Sequence, residues 1–293
     1  WTKMESADKY ILYKSVKGGY IDKELVTLSK STLYYDDYDV NKIKAYEYKI
    51  ASVSVIGDKS YEGNKSVGVT GVVGNYGIVV SSDNGIINWD MVASAGINHA
   101  IICVANYGES GGENGTKLKK DSRFDANITG ATKAGLKVGI YLPTYAHTKD
   151  DAKKEGELVI DYLKGYKIDY PIYYSIQNKS KANKSKRDAN TMLVKEFCSK
   201  ISEYGYTTGV YSTAEFIDNY LDTRELKGYS ILASKHSRVR KLNFPEKISK
   251  INRIIDKGFY SGNNYSSFDI YEWEYSKKGI VSGIGTNVKL IYN

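Results

Sequence analysis

Proline is scarce in this chain, with 3 in 293 residues, and so are cysteine, with 2, and histidine, with 3. The cysteines, Cys103 and Cys198, form neither a metal-ligand spacing nor a disulfide framework. Both lie in apolar stretches, which predicts buried free thiols. No run of about 18 apolar residues occurs, so no membrane-spanning helix is expected. The chain opens on Trp1 with no basic n-region or apolar h-region after it. The expectation is a processed or trimmed form whose export signal lies outside this sequence. His99, His147 and His236 accompany no nucleophile signature, which argues against a serine-type triad. The run Gly111-Gly112-Glu113-Asn114-Gly115 is not followed by Gly-Lys-Ser/Thr and reads as a loop, not a phosphate cradle. No metal and no cofactor are expected.

What is present is an ordinary globular composition, 41% hydrophobic and 26% charged, with chain enough for a sizeable core and for one domain or two. The formal net charge is +8, which suits anionic partners or simply keeps the surface solvated. Tyrosine is abundant at 28 residues. Tyr serves strands, carbohydrate surfaces and protein contacts alike, so its number alone decides little.

Residues 1–73 carry short period-two runs at 10–14, 24–28, 32–35, 43–48, 53–56 and 67–73, separated by turn signals at Gly18-Gly19, Asp36-Asp37 and Gly57-Asp58. That pattern predicts a small all-β module, either a spacer or an attachment element, whose 67–73 edge is suited to strand addition. From residue 74 onward the pattern becomes alternating strands and helices. Strands are expected at 78–81, 100–105, 138–142, 172–176, 208–211, 230–233, 269–275 and 288–291. Helices are expected at 88–95, capped by Asn88 and closed by Gly96, and at 124–134, 150–163, 190–204 and 214–220. Repeated strand–helix units with apolar strands such as Ala100-Ile101-Ile102-Cys103-Val104 argue for a parallel sheet or barrel.

The opening Gly77-Ile78-Val79-Val80-Ser81-Ser82-Asp83-Asn84-Gly85 with Trp89 resembles the first strand and loop of glycoside hydrolase family 25, the Chalaropsis-type lysozymes that cut peptidoglycan. Further segments are similar in the same order: Ala95-Gly96-Ile97, Phe124 with Asn127, Ala134 through Tyr141, Tyr170-Pro171-Ile172-Tyr173, Gly209-Val210-Tyr211-Ser212, and Trp273-Glu274-Tyr275-Ser276. The resemblance covers about three-quarters of the chain and implies an irregular TIM-like βα barrel over 74–293, with its site at the C-terminal strand ends. It also implies four carboxylate positions, and none carries a carboxylate here. They hold Val79, Ser175, Gln177 and Lys289.

Glycoside cleavage needs a proton donor and a negative group beside an oxocarbenium-like centre. Val, Ser and Gln supply neither, and Lys places positive charge where the transition state is positive. The resemblance therefore implies a pseudoenzyme, a lysozyme-like chain with no catalytic residue. Asp83, Glu109, Asp169 and Glu274 are the carboxylates expected near the mouth, and a relocated pair among them is the route to retained activity. Ligand-binding candidates are Tyr107, Tyr141, Tyr211, Trp273 and Glu274, the aromatics either stacking on sugars or filling the mouth. Lys179, Lys181, Lys184, Lys186 and Arg187, with Lys235, Arg238, Arg240 and Lys241, are expected to flank it as a basic rim or a solvated loop.

Two functions follow for an extracellular or cell-surface protein. One is an inert structural subunit of a spore, phage-tail or appendage assembly, contacting itself or other surface proteins. The other is a lectin-like binder of peptidoglycan or another anionic wall polymer. Nucleic acid is not an expected partner.

Overall fold

The computed structural model describes residues 1–17, 19, 21–41, 44–107, 118–177, 183–236, 242–245, 251 and 271–293. The first sheet has five antiparallel strands: β1 (Lys9–Val16), β2 (Lys23–Ser29), β3 (Ala45–Ile56), β4 (Lys59–Glu62) and β5 (Val69–Val72). Inward side chains alternate along β1 and β3, burying Tyr10, Leu12, Ala51 and Val53. The expected runs at 43–48 and 53–56 are one continuous strand, β3, because Tyr48 through Ser52 keep pairing with β1. The run at 32–35 forms no strand. Gly57-Asp58 is the two-residue turn of a β3–β4 hairpin, with Gly57 at φ 62°. β5 lies against the first half of β3, and Thr70 and Val72 approach Gly96, so this sheet packs onto the rest of the chain there.

The second sheet closes on itself. Its strands are β6 (Tyr76–Val80), β7 (His99–Cys103), β10 (Lys137–Pro143), β11 (Ile172–Ser175), β12 (Thr208–Thr213), β13 (Ser230–Ser234), β15 (Glu272–Val281) and β16 (Val288–Tyr292), and β13 pairs β15 to complete the circle. Seven of them run parallel, while β16 runs antiparallel to both neighbours. β8 (Ala105–Tyr107) and β9 (Leu118–Lys120) form a hairpin above β7, and β14 (Leu242–Phe244) pairs the outer part of β15. Helices α1 (Trp89–Ser94), α2 (Phe124–Lys133), α3 (Lys149–Leu163), α4 (Arg187–Ser202) and α5 (Ala214–Tyr220) make the return crossings. Asn88 caps α1 through Met91 N–H as expected, and Thr148 with Asp151 forms a capping box on α3.

Two cores result from strand parity. Outward residues such as Ile78, Ala100, Val138, Ile172 and Leu290 meet the helices in one cluster. Inward residues Val79, Ile101, Cys103, Tyr141, Tyr173, Tyr211, Leu232 and Ile291 fill the lumen. The tyrosines fit because the inward position two residues earlier on β10 and β12 is glycine. A Cβ on Gly139 would lie 2.6 Å from Ile101, and one on Gly209 would lie 2.9 Å from Tyr173. Cys103 and Cys198 are both buried, and burial pushes each thiol up to about 12.

Candidate functional site

Six inward-leading segments end at one mouth: the turn after β6, the β8–β9 hairpin, and the ends of β10, β11, β12 and β13. Because β16 runs the other way, its beginning reaches that same end, and Lys289 pairs directly with Val79. A pocket of about 460 Å³ opens there, lined by Tyr141, Pro143, Thr144, Tyr145, Ser175, Gln177, Tyr211 and Lys289. Its size is at the small end of ligand sites. Among the described residues its lining holds one formal charge, the Lys289 ammonium, and no carboxylate.

The floor is a hydrogen-bonded cluster. Lys289 Nζ donates to the Tyr211 hydroxyl at 2.7 Å, and that hydroxyl donates to Glu274 Oε2. The other carboxylate oxygen, Oε1, meets His236 Nε2. Lys289 Nζ lies 3.8 Å from Glu274, whose side chain is 1% exposed against 38% for Lys289. Burial first, and the Glu274 carboxylate next, push the Tyr211 phenol well above its ordinary value, so it stays a donor. Above the floor, Gln177 Nε2 donates to Ser175 Oγ at 3.4 Å.

The rim is held by a buried carboxylate on the neighbouring helix. Glu155 of α3 accepts from Tyr145 N–H at 3.0 Å, the Thr144 hydroxyl at 2.9 Å and the Tyr174 hydroxyl at 2.5 Å. Tyr145 thereby stands at the pocket edge, its ring 4.5 Å from that of Tyr107. Asp121 plays the matching part on the other side. It accepts from Ser82 N–H, Asn106 Nδ2 and Arg123 N–H, each at 2.9 Å, and ties the turn after β6 to the β8–β9 hairpin.

The family model of glycosyl hydrolases family 25 matches residues 78–284. The chain belongs to this family. Among solved structures, it superposes on the modular autolysin LytC from Streptococcus pneumoniae with a TM-score of 0.56 at 19% identity, covering 83% of this chain and 56% of that one. The chain thus spans little more than half of the autolysin's length. The bacterial lysozyme from Streptomyces coelicolor gives 0.52 at 22% identity, over 75% of this chain and 92% of that one. The family 25 glycosyl hydrolase from Bacillus anthracis gives 0.53 at 20% identity, over 74% and 88%. At these identities the likeness speaks for the fold. No curated protein matches the chain.

In this family 25 barrel Ser175, Gln177, Lys289, Tyr141 and Tyr211 share one pocket, and Val79 pairs beside Lys289 on the lumen wall. Three expectations are corrected. Trp273 is no part of the pocket: it is 6% exposed in the outer core, its indole donating to Lys235 O at 3.2 Å. Adjacent residues on β15 face opposite ways, so with Glu274 inward Trp273 must point out. Tyr107 lies beside the pocket, not in its lining, with its ring against that of Tyr145. Asp169 precedes β11 and accordingly lies at the opposite barrel end, bonded to β10 through Val138. Glu274 is at the mouth, but buried beneath it, and Asp83 is exposed in the turn after β6. Glu109, Lys179, Lys181, Arg238, Arg240, Lys241, the 111–115 loop and the start of the 269–275 strand lie outside the described residues, as does the side chain of Lys184.

Asp121, Glu155 and His236 escaped the sequence reading as parts of the site. Glu155 had a signal: it sits on the α3 stripe with Ala152, Val159 and Leu163, where a charge needs a buried partner. Replacing Trp273 by Phe is expected to cost about 1 kcal/mol in urea unfolding, from one lost hydrogen bond, and to leave ligand binding at the mouth unchanged.

Proposed function

We propose that this chain is a non-hydrolysing family 25 protein that uses its barrel mouth to bind cell-wall glycan at or outside the cell surface. The observation that carries this reading is the chemistry of the pocket. Its lining offers hydroxyls, an amide, an ammonium and aromatic faces, which suit hydrogen bonding and stacking on sugar. Among the described residues its lining holds no carboxylic acid, and the buried carboxylates Glu274, Asp121 and Glu155 around it have other partners. Glu274 is held by Tyr211 and His236, and Asp121 by two backbone N–H groups and Asn106. Val79, Ser175, Gln177 and Lys289 stand where the family resemblance places carboxylates. One of the solved relatives, the autolysin LytC, is described in complex with a synthetic peptidoglycan ligand. Residues 1–73 are then a separate β module that positions the barrel 74–293.

Cosedimentation with purified cell walls tests the reading. The protein is expected to be retained without clearing the walls. Tyr145→Ala, which removes the aromatic edge, is expected to weaken retention about 5–30-fold, the loss of 1–2 kcal/mol. Absence of retention would reject it. The scaffold reading keeps one observation in its favour. An apolar groove of about 850 Å³ on the first sheet is lined by residues including Trp1, Tyr35, Tyr38, Val40, Val67 and Val69. Ordered polymers in microscopy, together with no wall retention, would favour that role instead.

A further inference from the structure

We infer that the pocket is selective for an acidic saccharide, a sugar unit whose carboxylate is received by Lys289 and Gln177 while its ring lies on the Tyr145–Tyr107 pair. This rests on the glycan-binding reading and adds the charge of the ligand. The ammonium of Lys289 uses one of its donors on the Tyr211 hydroxyl, and as a group with three N–H bonds it has two more. Its side chain is 38% exposed while Glu274 behind it is 1% exposed, so an incoming ligand meets the cation and not the carboxylate. Glu274 takes back part of the positive field, and the oxygens it would offer are engaged by Tyr211 and His236. Discrimination therefore comes from direct donation to the anion as much as from net charge.

The remaining lining agrees with an anion that is part of a sugar. Gln177 adds amide N–H donors and Ser175 a hydroxyl, both on the β11 side of Lys289. Thr144 is not available as a further donor, because its hydroxyl serves Glu155 and sits against Tyr174. The lining also includes Pro143 and Tyr145, an apolar and aromatic edge, and Tyr107 packs against Tyr145 with ring centroids 4.5 Å apart. An inorganic anion has no use for that edge, and a neutral sugar takes from the ammonium only a hydrogen bond without opposite charge, about half as strong as one to a carboxylate. A negatively charged sugar uses both.

The test compares a glucuronic-acid-containing tetrasaccharide with the same tetrasaccharide after its carboxylates have been reduced to primary alcohols, by titration calorimetry on the full chain. The acidic form is expected to bind about tenfold tighter, a difference of 1.4 kcal/mol, within the reach of one charge-assisted hydrogen bond. The preference is expected to vanish in Lys289→Met and to survive in Lys289→Arg. Gln177→Glu, which sets a carboxylate in the pocket lining at an exposed position, is expected to abolish it too, and stands in should Lys289→Met fold poorly. Equal binding of both sugars overturns this inference and leaves glycan binding standing. A preference that persists in both Lys289→Met and Gln177→Glu locates the charge elsewhere and also overturns it. Binding of neither sugar, with retention on walls intact, rejects the acidic ligand alone. Binding of neither sugar and no wall retention rejects both readings.

Discussion

Incubated with purified peptidoglycan at any pH, the protein is expected to release no muropeptides and no reducing ends above background. The chemical reason is the proton. A leaving glycosidic oxygen has to be protonated as the bond breaks, and general acid catalysis of that step is worth about 10²–10⁴ in rate. Gln177 has nearly the shape of a glutamic acid but no proton to give, and Ser175 carries no charge. Tyr211 is tied to Glu274 and Lys289 and is held well above its ordinary value by burial. A positive centre developing in the pocket would also face the Lys289 ammonium, and like charges repel.

Gln177→Glu alone is expected to stay at background. It returns one acid without a second negative group, and it sets that acid near a cation that favours its ionised form. The reading fails if wild-type protein shows turnover that Glu274→Gln abolishes. That result would mean that the buried carboxylate leaves Tyr211 and His236 to do acid–base work.

His99→Leu is expected to cost about 3 kcal/mol in urea unfolding, the upper end of the usual loss when a buried polar group is left without its partner. At the barrel end opposite the mouth, His99 Nε2 lies 2.7 Å from Glu272 Oε1, and both side chains are fully buried. Tyr173 donates to Glu272 Oε2 at 2.6 Å, Asn75 meets His99 Nδ1 at 3.2 Å, and the Tyr170 ring stacks on the imidazole at 4.5 Å. This contact joins β7 to β15 across the lumen, two strands far apart in sequence. Leucine has a similar volume, so the loss reports the orphaned carboxylate more than a cavity.

Tyr173→Phe is expected to be milder, about 1–3 kcal/mol, because one acceptor loses its donor while the His99 contact stays. A shift in midpoint without a change in slope identifies a native-state effect. A loss under about 1 kcal/mol for His99→Leu would show that the pair contributes little. Gly77 belongs to the same arrangement: a Cβ there would fall 2.2 Å from His99 Nε2, so only glycine leaves the ring its place.

Much of the barrel was legible in the chain because its signals are local. Asn88 before α1, Gly96, Gly135 and Gly205 after their helices, and the apolar runs of β7 and β10 each declare themselves within a few residues. Ser175, Gln177, Tyr141, Tyr211 and Lys289, singled out by the order of motifs, line one pocket. Errors came where the answer depended on parity or direction. Trp273 and Glu274 are neighbours on one strand and cannot both face the lumen, a rule available from sequence once β15 is a strand. Asp169 enters β11 instead of leaving it, which puts it at the end opposite the mouth.

The amino-acid order alone thus settles most of the barrel's strands and helices, and that Val, Ser, Gln and Lys occupy the positions at which the family resemblance expects carboxylates. It leaves unspecified which distant side chains meet. That Glu274 is occupied by Tyr211 and His236, that Lys289 stands over them facing the pocket, and that His99 finds Glu272 all follow from closing the barrel between β13 and β15 and turning β16 antiparallel. Hydrogen bonds reach about 3 Å, and only that closure brings residues as far apart in sequence as His99 and Glu272 within such a distance.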